Sequence, residues 1–91
     1  MSDDPVIQHH RAQISELDLK ILDAINQRIH RVKQLKDYKE AHGLSFYDAA
    51  QEDRVITLLS QANPGPLSEE GLQELFRFIL AWSKREAAAL E

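Results

Sequence analysis

From Pro5 to about His42 the chain has no glycine and no second proline, and β-branched residues are sparse. Such a stretch favours one long helix. Pro5 suits its first turn, and Gly43 suits the left-handed residue just past its end. At about 100° per residue, Ile14, Leu17, Ala24, Ile25, Val32 and Leu35 all fall within about 60° of Ile21, as one apolar stripe along the whole segment. A helix of about 36 residues spans roughly 54 Å. A compact chain of 91 residues should be only about 30 Å across. The remaining residues cannot cover the helix, so the uncovered half of its stripe is expected to lie against a second copy, most simply by antiparallel pairing in a two-fold dimer. The alternative is a break near the middle that folds the helix back on itself.

The rest of the chain reads as two more helices. After the loop Gly43–Tyr47, Asp48 is placed to cap a second helix that buries Val55, Leu58, Leu59 and Ala62. Asn63-Pro-Gly-Pro66 ends it. Ser68 caps a third, with Glu69 and Glu70 in the first turn where the helix dipole favours anions. Its stripe is Leu72, Leu75, Phe76, Ile79 and Leu90, and it is expected to run to the carboxyl end. No strand pattern or internal repeat competes. The expected class is all-α, one domain over residues 1–91.

Several function classes are set aside by composition. Eleven Lys and Arg against 15 Asp and Glu leave a net charge of −4, contrary to the basic footprint of a duplex nucleic-acid binder. An anionic partner then needs a local cluster of cations. There is no cysteine, hence no disulfide, thiolate metal site or cysteine nucleophile. The four histidines show neither i, i+4 pairing nor a ligand cluster, so no metal site is expected. Apolar runs are far shorter than the roughly 20 residues of a membrane span. The acidic start MSDDPVIQHH does not resemble a secretory signal, and a cytoplasmic location is expected. There is no phosphate-binding loop, dinucleotide fingerprint or nucleophile elbow.

Polar residues inside the apolar stripes carry the functional information. Arg28 lies about 20° from the centre of the first stripe, and Lys39 almost on it. Two cations there are costly to desolvate unless anions meet them. Asp18, about 60° off centre, offers a structural ion pair, and Lys39 can snorkel from the helix end. Arg28 has no carboxylate at i±3 or i±4, so it is either a buried salt bridge or a contact to an anionic ligand. Asp48, Gln51 and Glu52 form a polar edge on the second helix. Asp48 with Gln51 also resembles a capping box, whereas Glu52 has no local duty. On the third helix Ser83 lies about 40°, Glu86 about 20° and Ala87 about 80° from the stripe centre. Glu86 reads as a counter-ion or a pocket hydrogen-bonding group. Trp82, Phe76 and Phe78 read as core or dimer packing.

Arg11-x-x-Ile14-x-x-Leu17-Asp18-x-x-Ile21, then Arg28, Lys39, Asp48-x-x-x-Glu52, and Gly65-Pro-Leu-Ser68 leading to Leu75-Phe76 and Ser83, resembles the all-helical chorismate mutase family from about His10 to Glu86. The resemblance implies an interlaced homodimer with two equivalent pockets that isomerise chorismate to prephenate without a cofactor, toward phenylalanine and tyrosine. By similarity Arg28 and Lys39 line their own chain's pocket and Arg11 reaches the partner's. The arginines would hold the substrate carboxylates, and Lys39 a carboxylate and the ether oxygen. Glu52 would accept from the ring hydroxyl, with Asp48 and Ser83 adding hydrogen bonds. Two positions depart from the family pattern. Gln51 stands where arginine is usual. Ala87 stands where Gln or Glu usually donates to the ether oxygen, and Glu86, one residue early, could reach the pocket only by a shift or overwinding of the helix, and would have to be protonated to donate.

The chemistry suits these residues. A Claisen rearrangement needs no nucleophile, metal or general acid–base pair. It needs a flexible dianion held in a reactive conformer, and fixed positive charge beside the breaking C–O bond. Three other readings follow from the sequence: a regulatory domain that binds prephenate or chorismate with little turnover and partners a shikimate-pathway enzyme, a relative acting on isochorismate or an amino analogue of chorismate, and a ligand-free dimerisation module.

Overall fold

A computed structural model describes residues 4–90. Met1–Asp3, part of the acidic start, and Glu91 lie outside the described residues. The chain forms α1 (Pro5–Ala41), α2 (Ala49–Ala62) and α3 (Glu69–Ala88), with no strand among the described residues. The long helix is unbroken, which disposes of the folded-back alternative. The third helix stops at Ala88, short of the expected carboxyl end.

Local chemistry sets the boundaries. Asp4 caps α1 by accepting from the Val6 amide at 2.8 Å, and Pro5 occupies the first helical position. At the far end the Leu44 amide donates to the Lys39 carbonyl and the Gly43 amide to that of Glu40, the paired bonds of a Schellman closure. Gly43 meets the left-handed requirement with φ of 67°. Asp48 and Ser68 cap α2 and α3 as expected, accepting from Gln51 and Gly71 amides at 3.1 and 3.0 Å. The other half of the Asp48 capping box is absent, because the Gln51 side-chain oxygen accepts from Arg54 Nε instead.

α3 is the central element, packing against both α1 and α2. The core is small: Ile56, Leu72, Leu80, Ser83 and Ala87 are buried, and no residue of α1 is. Two stripe expectations need correction. On α2 the buried residue is Ile56, while Leu58 is 65% exposed and Ala62 is exposed too. α2 leans on α3 alone and so buries only a narrow strip. On α3 Leu75 is exposed, and the buried stripe, Leu72–Leu80–Ser83–Ala87, is rotated away from it, while Leu90 lies beyond the last helical residue and is exposed for that reason. Ala87 therefore points inward with no exposure and Glu86 is exposed, the reverse of the angular expectation, with the helix regular through Ala88.

α2 and α3 are tied together at their elbow. Ser60 Oγ donates to Glu69 Oε1 at 2.7 Å and Gln73 Nε2 to the same oxygen at 3.1 Å. These bonds, Ser60 first, hold the Glu69 carboxyl below its ordinary value. A depressed carboxylate adds stability that is present above its unfolded pKa and is lost as pH falls through the folded one. Ser60→Ala should therefore reduce the acid-side decline of the melting temperature between about pH 3 and 6 and leave the alkaline side parallel to the parent. Parallel curves across the whole range would refute this role.

Candidate active site

Arg28, Lys39, Asp48, Gln51 and Glu52 are brought together around one cavity of about 190 Å³. Its apolar walls are Val32 and Leu35 of α1, Phe46 of the loop, Val55 of α2 and Leu80 of α3. The helical spacing of Arg28, Val32, Leu35 and Lys39 places these four on one face, and the Schellman closure holds the Lys39 backbone at the end of that face.

Arg28 is half-buried and makes no ion pair among the described residues. Burial lowers its pKa from the ordinary value, and the Glu52 carboxylate opposes that fall. Lys39 likewise has no side-chain ion pair among the described residues, and Asp18, its candidate structural partner, has none with either cation. Asp48 is engaged at the rim, capping α2 and pairing with Arg54 at 3.6 Å. Glu52 is paired, but with Lys84 of α3.

Lys84, which lines the same cavity, is the charged residue missed in the sequence. A signal was present: it lies four residues after Leu80 and three before Ala87, both buried, so it is a cation on an inward face, as Arg28 and Lys39 are. The misplaced α3 stripe concealed it.

The other expected site residues lie elsewhere. Ser83 is 1% exposed and donates to the Ile79 carbonyl at 2.7 Å. It lines, with Glu86, a second cavity of about 500 Å³ between α1 and α3 whose walls include Ile25, Ile29, Phe78 and Trp82. That cavity is the larger, yet no lysine or arginine lines it, whereas Arg28, Lys39 and Lys84 line the smaller one. Ala87 lines neither. Arg11 is exposed on the amino-terminal part of α1 and lines neither. Among the described residues no three His, Cys, Asp or Glu side chains are grouped to hold a metal, and no helix is long and apolar enough to cross a membrane.

Arg28 and Lys39, both half-buried and without an ion pair among the described residues, thus stand on one wall of the cleft of a three-helix chain. Residues 10–88 match the chorismate mutase type II family, and the chain belongs to it. It is 30% identical over 86 residues to bifunctional chorismate mutase/prephenate dehydratases of Stutzerimonas stutzeri and Pseudomonas aeruginosa. The alignment takes in 89% of this chain and 24% of each of those proteins, so the chain spans about a quarter of their length. Its fold is similar to that of chorismate mutase from Thermus thermophilus. For form II the TM-score is 0.85 at 27% identity, covering 90% of this chain and 93% of that one. For form I it is 0.82 at 28% identity, covering 85% and 96%.

Proposed function

We propose that this chain is a chorismate mutase that rearranges chorismate to prephenate in aromatic amino-acid biosynthesis, without a cofactor. The observation that carries this reading is the pair of cations, Arg28 and Lys39, that make no ion pair among the described residues and share one face of α1 at an apolar-walled cavity. Half-buried cations that no ion pair engages are already in place for a dianion, and they cost little reorganisation when charge develops. Arg28 offers a planar fork of donors for a carboxylate. Lys39 offers a compact charge for the ether oxygen as its bond to carbon breaks. Glu52 accepts from the ring hydroxyl, and Asp48 and Gln51 supply hydrogen bonds at the rim. Binding the compact, charge-separated transition state more tightly than the flexible substrate lowers the barrier.

The working unit is a cytoplasmic, interlaced two-fold dimer. Within one chain Ile14, Leu17, Ile21 and Leu22 of α1 are each more than half exposed. The radius of gyration is 17.2 Å, against about 12 Å for a compact chain of this length. A 190 Å³ cavity is also smaller than the roughly 300–1,000 Å³ of typical small-molecule sites. A partner helix laid along the apolar cavity of α1 and α3 would cover these surfaces and bring its Arg11 to the charged cavity, with Ser83 and Glu86 near the new seam.

Gln51 and the fully buried Ala87 favour a second reading. Neither supplies a cation or a donor to the ether oxygen, which suits a regulatory domain that binds prephenate or chorismate and turns over little, or a site adapted to isochorismate or an amino analogue. The decisive assay follows chorismate loss together with prephenate appearance on the purified protein. Mixed chains of Arg11→Ala and Arg28→Ala should recover about one intact pocket per heterodimer. Absence of turnover with retained prephenate binding would replace the enzyme by the regulator.

A further inference from the structure

The charged cavity has a third cation. Lys84 comes from α3, its ammonium pairs with Glu52 of α2, and it sits 5.0 Å from the centre of the Tyr47 ring. Its side chain is 33% exposed and that of Glu52 28%, so the pair is neither loose in solvent nor sealed from a ligand.

Its place on the cavity wall beside Arg28 and Lys39 gives Lys84 more to do than neutralise Glu52. Arg28, Lys39 and Lys84 face the cavity together with Asp48 and Glu52. Asp48 is matched by Arg54, which does not line the cavity. Glu52 offsets one of the three cations that this chain supplies, so the cavity keeps a positive surplus for an anionic ligand, to which the partner's Arg11 of the proposed dimer would add. The α2 wall supplies no cation of its own, since Gln51 is neutral and its amide oxygen is occupied by Arg54. An ammonium has three donors. One holds Glu52, and two are left for a ligand.

Resting on the mutase reading above, we propose that Lys84 is a substrate-binding residue of this site, which holds a carboxylate of the dianion while keeping Glu52 in place to accept from the substrate hydroxyl. The test separates this from service as a counter-ion alone. Lys84→Met should raise KM for chorismate, and Kd for prephenate by calorimetry, about 10- to 100-fold, with a smaller fall in kcat. Lys84→Arg should restore binding to within a few-fold. The double variant Lys84→Met with Glu52→Gln should bind at least about tenfold more weakly than Glu52→Gln alone. Equal affinity of the double variant and Glu52→Gln would show that Lys84 serves Glu52 only and would overturn the proposal. Melting of each empty variant controls for folding, with Lys84→Gln as a second neutral replacement. If the parent turns over chorismate and Lys84→Met leaves KM unchanged, the Lys84 role falls and the mutase reading stands. If the parent neither binds nor turns over, both fall.

Discussion

Replacing Arg28 with methionine is expected to leave the empty protein at least as stable as the parent while lowering kcat/KM for chorismate roughly 30- to several-thousand-fold. Arg28 is half-buried, has no ion pair among the described residues, and its pKa is lowered by burial. Its charge is therefore a cost to the empty fold, and a methionine of similar length fills the same space without it. Losing one partner of a desolvated charge contact to a ligand costs about 2–5 kcal/mol, which sets the range of the rate loss. Steady-state kinetics and melting with and without prephenate read both halves. In the parent, ligand at about 100 times Kd should add about 2.7 kcal/mol, and in the variant this gain should vanish. A loss of several kcal/mol in the empty variant would mean that Arg28 is a structural ion pair, and the anion-binding account of the cavity would be wrong.

Ile21→Asp is expected to abolish the folded assembly. In one chain Ile21 is 57% exposed, and a polar replacement at such a position normally changes stability by no more than about 0.5 kcal/mol. In the proposed dimer the same side chain lies in the shared core, and an unpaired carboxylate enters it twice. Sedimentation and circular dichroism should then show an unfolded or partly helical monomer at concentrations where the parent is dimeric. For the parent, each tenfold rise in protein concentration should add about 1.4 kcal/mol to apparent stability and raise the melting temperature by roughly 2–6 °C. A parent of monomeric mass with full helicity, or an Ile21→Asp protein that melts like the parent, would refute the shared core.

The sequence alone determined what depends on neighbours along the chain. The absence of glycine and proline between Pro5 and Gly43 makes α1, and Asp48 and Ser68 close the first turns of α2 and α3 with their own side chains. Periodicity put Arg28 and Lys39 on one face because i, i+4, i+7 and i+11 coincide in any regular helix. Family spacing then gathered Asp48 and Glu52 with them. What only the tertiary structure decided is how each helix is turned about its own axis. α3 lies between α1 and α2, and its rotation is set by which residues fit both neighbours at once. Leu80 and Ala87 fit, while Leu75 and Glu86 do not. That rotation, a few tens of degrees, brings Lys84 to Glu52 and puts Ser83 and the exposed Glu86 on the wall of a different cavity. A helical wheel drawn on one segment centres its stripe on that segment's own hydrophobics, several of which here remain exposed. The rotation comes instead from contacts between residues far apart in the chain, which no local pattern encodes.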